Sequence, residues 1–159
     1  MRLQLDVFDV KILDIIQRNN RLATEQIAEE VGLSPSAVQR RLRRLRKGGV
    51  IVADVAILSP EAVGRGVTAI VEVTLEHEHP HILDDFKKSM IATPEVMQCY
   101  YVTGNADFVL IITAKDIKDY EAFSYRTFSS NPLVRRFNTS IVMNTVKSGS
   151  VVPLELDHL

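Results

Sequence analysis

Apolar residues recur at helical spacing over the first fifty positions and at alternating spacing beyond them, and this change of period divides the chain. Leu5, Phe8, Ile12, Ile15 and Ile16 predict a helix over Leu5–Arg18, with Asp6 and Asp9 near its start where negative charge suits the helix dipole. Thr24 opens a second helix running to Val31, whose inner face is Ile27, Ala28 and Val31, and Gly32-Leu33 turns the chain into Ser34. Ser34 is a good N-cap, Pro35 suits a first helical position, and Gly48-Gly49 supply a stop after Lys47. Between these marks Val38, Leu42 and Leu45 fall at i, i+4 and i+7, one stripe that needs an apolar partner. Helix, turn and helix in this arrangement predict a helix-turn-helix, winged-helix-like domain.

The β-branched run Val50–Leu58 predicts a strand leaving that domain, and Ser59-Pro60 through Gly66 breaks the pattern near residue 60. Strands and helices then alternate. A strand over Val67–Leu75 turns Ala69, Val71, Val73 and Leu75 to one face, and a helix over Pro80–Ile91 turns Leu83, Phe86 and Met90 inward. Strands over Val96–Thr103 and Phe108–Ala114 form a hairpin across Gly104-Asn105-Ala106-Asp107. A helix from Asp116 to about Ser129, with Ile117, Tyr120, Phe123 and Thr127 or Phe128 on its core side, and a last strand over Phe137–Val146 complete a β-α-β-β-α-β order. Thr93-Pro94-Glu95-Val96 and Asn131-Pro132-Leu133-Val134 occupy equivalent points of the two halves, a faint internal repeat. The expected fold is α+β: a helix-turn-helix domain over 1–52, a linker strand and loop over 53–66, and a ferredoxin-like domain over 67–159. Both helices lie on one face of its sheet, so apolar residues on the other face require a second subunit and predict a homodimer.

Composition changes this picture in one respect, charge. The net charge of -1 is divided, since residues 1–58 carry 10 Lys and Arg against 7 Asp and Glu, whereas residues 59–159 carry 9 against 13. The positive charge concentrates on the third helix, where Arg40, Arg41, Arg43, Arg44, Arg46 and Lys47 stand within fourteen residues of Ser34. A helix that is both docked and cationic predicts binding of double-stranded DNA. Ser36, Gln39, Arg40 and Arg43 lie on the turns that enter a major groove and are the candidates for base edges; Arg44 and Lys47 lie further along and suit phosphates. Ser34, at the helix start, completes this DNA-facing set. Arg41 lies nearer the docked stripe and is expected to touch a neighbouring element or a flanking phosphate.

Other chemistries find less support. No run of about 18 apolar residues is present to cross a membrane and the N-terminus lacks an apolar signal core, which predicts a cytoplasmic protein. The single cysteine, Cys99, precludes an internal disulfide and is expected to be a small buried residue of a strand. His77, His79 and His81, interleaved with Glu76 and Glu78, could face one side of an extended chain, but Pro80 interrupts them at a strand-to-helix turn, so a solvated loop and no metal are expected. No nucleophile beside a base and no phosphate-binding glycine loop is visible, so neither enzymatic activity nor a cofactor is expected. RNA recognition would favour aromatics on the sheet, whereas the basic residues here lie on a helix.

The chain closely resembles the leucine-responsive and asparagine-responsive regulators, the Lrp/AsnC or feast/famine family of bacterial and archaeal transcription factors. The resemblance rests on Leu5-Asp6 with Asp9 and Ile12-Leu13, then Ile27-Ala28, Val31-Gly32-Leu33-Ser34, Val38, Arg41-Leu42, Leu45 and Gly49-Val50-Ile51. In the second half it rests on Pro94-Glu95-Val96, Val102-Thr103-Gly104 with Asp107, and Thr139 with Val142. Val52-Ala53-Asp54 stands where the family frequently has a glycine and an aromatic residue. The resemblance implies a regulator of transcription whose C-terminal domain dimerises, assembles dimers further, up to a tetramer of dimers, and binds an amino-acid effector. It also implies that the loop with Thr103, Gly104, Asn105 and Asp107 helps to form the effector pocket. Gly104 would let backbone N–H groups approach a carboxylate and Asp107 could accept from an ammonium, although Gly-Asn-x-Asp is equally ordinary hairpin-loop chemistry.

Overall fold

The computed structural model describes residues 3–77, 79–149 and 151–155. The chain divides into two compact units, residues up to Ala56 together with those from Lys147, and Ile57–Val146. The described residues after 146, expected with the second domain, group with the first.

In the helical unit, α1 spans Val7–Ile16, α2 Thr24–Val31 and α3 Pro35–Lys47. Helix α1 is shorter than predicted because Asp6 and Asp9 form a capping box, each side chain accepting the other's backbone N–H at 2.9 and 3.0 Å. Gly32 ends α2 in the left-handed region at φ 72°, a conformation that costs a glycine little. The core is Ile12, Leu13, Ile16, Ile27, Ala28, Val31, Val38, Leu42 and Leu45, with Leu154 of the returning C-terminal segment packed against it. Gln17 fixes that segment by a reciprocal pair: its amide donates to the Val152 carbonyl at 3.1 Å and accepts the Val152 N–H at 2.9 Å.

The strand predicted over Val50–Leu58 does not form; no strand precedes residue 67 among the described residues. Val52, Val55, Ile57 and Leu58 are exposed. Their β-branched character reports how they could pack in a sheet, but no ladder partner pairs with them among the described residues. A short 3₁₀ turn at Glu61–Val63 occupies the expected linker.

The second unit contains β1 (Val67–Leu75), α4 (Pro80–Ile91), β2 (Val96–Tyr101), β3 (Phe108–Ala114), α5 (Ile117–Ser124) and β4 (Val134–Ile141). The strands form one antiparallel sheet in the order β2-β3-β1-β4, the ferredoxin-like topology. Alternation sends Ala69, Val71, Val73 and Leu75 of β1 and Phe108, Leu110, Ile112 and Ala114 of β3 to the helix side, where they meet Phe86, Met90, Tyr120, Phe123 and Phe128. Helix α5 continues into a π-helical turn at Tyr125–Ser129, closed by Ser130 N–H to the Tyr125 carbonyl at 2.9 Å. This wider turn is what places Phe128 rather than Thr127 in the core.

Three expectations are corrected in this unit. Ile117, expected inward, is exposed because it is the first residue of α5 after the Asp116 cap. The last strand begins at Val134 and ends at Ile141, since its length is set by pairing with β1 from Leu75 to Ala69, and Met143 and Val146 beyond it are exposed. Cys99 is exposed rather than buried because β2 is an edge strand; partial desolvation pushes its thiol pKa up, away from thiolate reactivity.

Candidate nucleic-acid interface

Local signals build α3. The Ser34 hydroxyl accepts the Ala37 N–H at 3.3 Å and Pro35 opens the first turn. Val38, Leu42 and Leu45 then bury their stripe, with Val38 and Leu45 at 0% exposure. Docking this stripe leaves Ser34, Ser36, Gln39, Arg40, Arg43, Arg44 and Lys47 exposed, so the structure brings together on one accessible surface every residue expected to face DNA.

Their electrostatic situations differ. Asp9, at 0% exposure, accepts from Arg41 at 2.8 Å and from Arg44, while Asp6 accepts from Arg41 at 2.7 Å. Desolvation pushes the Asp6 carboxyl up, but the Asp9 N–H and the Arg41 guanidinium outweigh it and hold the group below the usual carboxylate range. Arg41 also lies over the Phe8 ring, 5.5 Å from its centroid. Asp54 takes Arg46 at 2.8 Å and accepts from Asn20 at 2.7 Å, hydrogen bonds that hold its carboxyl below the usual range. Arg44, expected on a phosphate, is therefore committed to Asp9. Among the described residues Arg40, Arg43 and Lys47 make no ion pair, and the Arg43 Nε donates only to the Gln39 carbonyl, at 3.4 Å.

In the second unit, Thr103, Gly104 and Asn105 are exposed and Asp107 is half-buried. Gly104 has φ 128°, outside the range that L side chains favour. The Asp107 carboxylate accepts the Leu75 N–H at 2.7 Å, and the Asp107 backbone bonds Val73 and Val102, each at 2.9 Å. Arg136 and Thr74 donate to the Asn105 carbonyl at 3.4 and 3.5 Å. Thus the loop is tied to β1 and β4 by side-chain hydrogen bonds between positions 31 and 32 apart, beyond what local turn chemistry supplies. Beside it a shallow cleft of about 470 Å³ is lined by Thr74, Leu75, Glu76, His77, His79, Asp107 and Arg135. His79 stacks on His81 at 5.8 Å between ring centroids, whereas Glu78 lies outside the described residues. Among the described residues no group of three such side chains is placed to hold a metal ion.

The profile of a winged helix-turn-helix DNA-binding domain matches residues 5–52, and that of the Lrp/AsnC ligand binding domain matches residues 68–152. The chain belongs to the Lrp/AsnC family of transcriptional regulators. An HTH-type transcriptional regulator of Sinorhizobium fredii is 54% identical over 97% of this chain and 91% of the relative. The leucine-responsive regulatory protein of Haemophilus influenzae is 33% identical over 95% of this chain and 91% of its own length. Among solved structures, a transcriptional regulator of Neisseria meningitidis in complex with L-methionine superposes with a TM-score of 0.89, at 34% identity, over 98% of this chain and 99% of that one. As a member of the family the protein is a DNA-binding transcriptional regulator with a ligand-binding domain. None of its described helices is long and apolar enough to cross a membrane.

Sequence reasoning missed two features of these surfaces. The pairing of Asp9 with Arg41 spans 32 positions, and nothing local in either helix reveals it beyond an acidic residue on a face that turns out to be buried. Arg135 reaches the cleft beside Asp107 because β4 starts at Val134, three residues earlier than the apolar alternation indicated.

Proposed function

We propose that this regulator works in the cytoplasm as a homodimer, reads DNA through Ser36, Gln39, Arg40 and Arg43 on α3, and responds to an amino acid bound near the 103–107 loop. The observation that carries the reading is the sorting of charge on α3. Once carboxylates have taken Arg41, Arg44 and Arg46, the cations of α3 without an ion pair among the described residues are Arg40, Arg43 and Lys47, beside Ser36 and Gln39. Arg40 and Arg43 suit guanine edges and Gln39 suits adenine, while Lys47 at the far end suits a phosphate. Support for the dimer comes from the sheet face opposite the helices, which presents Ile70, Tyr100, Val109 and Ile111 between polar neighbours. A two-fold pair would set the recognition helices on half-sites about one turn of DNA apart.

Arg40→Ala is expected to lower specific binding by about 1–3 kcal/mol and to relax preference at one base position. Gel shifts with the protein's own upstream region check this, and unchanged affinity for a genuine operator would sink the assignment.

The amino-acid reading is supported by the cleft beside Asp107, where Asp107 and Glu76 suit an ammonium and Arg135 a carboxylate, and by the methionine held by the Neisseria relative. Calorimetric titration with the amino acids is expected to give heat with at least one, reduced severalfold or more in Asp107→Ala. Silence with all of them counts against the pocket. Such a ligand acts only by favouring one assembly or one DNA-bound arrangement.

A further inference from the structure

We infer that Asp6 and Asp9 are specificity-setting residues, a carboxylate clamp that withholds Arg41 and Arg44 from DNA phosphates and so keeps non-specific binding weak. The inference rests on the DNA-reading role of α3 given above.

The geometry is that of a closed network. The Asp9 carboxylate is fully buried; one oxygen accepts Arg41 at 2.8 Å, the other accepts Arg44 and the Asp6 N–H, the latter at 3.0 Å. Asp6 completes it by accepting the same Arg41 nitrogen at 2.9 and 2.7 Å. No buried polar side-chain atom is left unpaired among the described residues. For Arg44 to reach a phosphate it must strip a buried carboxylate of one of its two guanidinium partners, and an under-compensated buried charge is costly. Arg41 is tied more tightly, by two carboxylates and a ring face, with a side chain only 19% exposed. The Arg44 side chain is 44% exposed and stands next to the free Arg43, so distance from the DNA-facing surface does not restrain it; Asp9 does.

The consequence is quantitative. Six cations on α3 would suggest six counterions released per subunit, whereas the clamp and the separate Arg46–Asp54 pair leave Arg40, Arg43 and Lys47. Each phosphate contact steepens the slope of log K against log salt by about 0.9, and this sequence-blind term supplies nearly all non-specific binding. Removing three cations from it weakens attachment to every duplex and leaves the base-reading side chains untouched, which raises the ratio of specific to non-specific affinity.

Asp9→Asn keeps the shape but removes the carboxylate's charge and leaves a single acceptor oxygen where two guanidiniums and the Asp6 N–H were held, which loosens the hold on Arg44. The test measures binding of the full-length protein to two duplexes, its own upstream region and a scrambled sequence of equal length and composition, across a salt series. For Asp9→Asn the scrambled-duplex slope is expected to steepen by about 0.9 per subunit, with severalfold tighter non-specific binding at low salt and a lower specificity ratio. Unchanged slope and ratio in a variant that still melts cooperatively overturn the clamp. Where Asp9→Asn does not fold, Arg44→Gln decides: its slope should match the parent, while Arg43→Gln should be shallower by about 0.9 per subunit, and an equal flattening by both overturns the inference. Failure of the parent to bind either duplex would instead remove the DNA-reading role itself.

Discussion

Leu45→Ala is expected to cost about 2–5 kcal/mol and to abolish DNA binding through loss of the helical unit rather than of a contact. Leu45 is at 0% exposure on the buried stripe of α3, in a core of nine buried side chains. A unit of this size has a stability of about 3–10 kcal/mol, at roughly 0.05–0.15 kcal/mol per residue, so the loss is a large part of the whole. A side chain this buried offers no surface to a base; the Leu45 carbonyl does receive the Val50 and Ile51 N–H groups at 3.0 and 3.3 Å, which fixes the exit of α3. Circular-dichroism melting paired with gel shifts is the check. The helical transition should fall or vanish while Arg40→Ala, which removes a side chain proposed to face a base from an intact helix, melts like the parent. A Leu45→Ala protein with an unchanged melting temperature would show that the stripe does not support α3.

This contrast between Leu45 and Arg40 marks what was legible in the sequence. The recognition helix was readable from end to end because its signals are local: a capping serine, a proline in the first turn, an apolar residue every third or fourth position, glycines after the last turn. The β-α-β-β-α-β order was readable for the same reason, and strands β1 and β3 fall where alternation put them. Most of what failed was decided by a partner distant in sequence. The run from Val50 to Leu58 has the side chains of a strand but joins no ladder among the described residues. The ends of β4 follow β1, and Cys99 is exposed because β2 lies at an edge, a fact of strand order. The candidate site shows the same division. Which residues α3 presents was clear from its period, but the state of its arginines was not. Three of the five are paired with carboxylates at positions 6, 9 and 54, so a charge count along the helix overstates its pull on a polyanion.

Phe108→Ala carries the largest expected effect in the second unit, about 3–5 kcal/mol, because a full aromatic ring leaves a site that cannot collapse around the gap. Phe108 is at 0% exposure at the start of β3, with ring centroids of Phe86 4.7 Å and of Tyr101 5.2 Å away. It thereby joins α4, β2 and β3, and the backbone just before it is the loop that Asp107 ties to β1. At about 4–8 °C per kcal/mol for a unit of roughly this length, the melting temperature should drop by more than about 12 °C. Function should follow in a distinctive order. Loosening the sheet removes the face proposed to pair with a second copy, and it also frees the 103–107 loop. Self-association measured by sedimentation and any amino-acid heat should therefore weaken together. The isolated reading of phosphates by α3 requires only the helical unit, so weak, salt-sensitive binding to scrambled DNA should outlast both. Loss of DNA retention in parallel with self-association, at temperatures where the helical unit still melts later, would mean that even non-specific binding requires two copies.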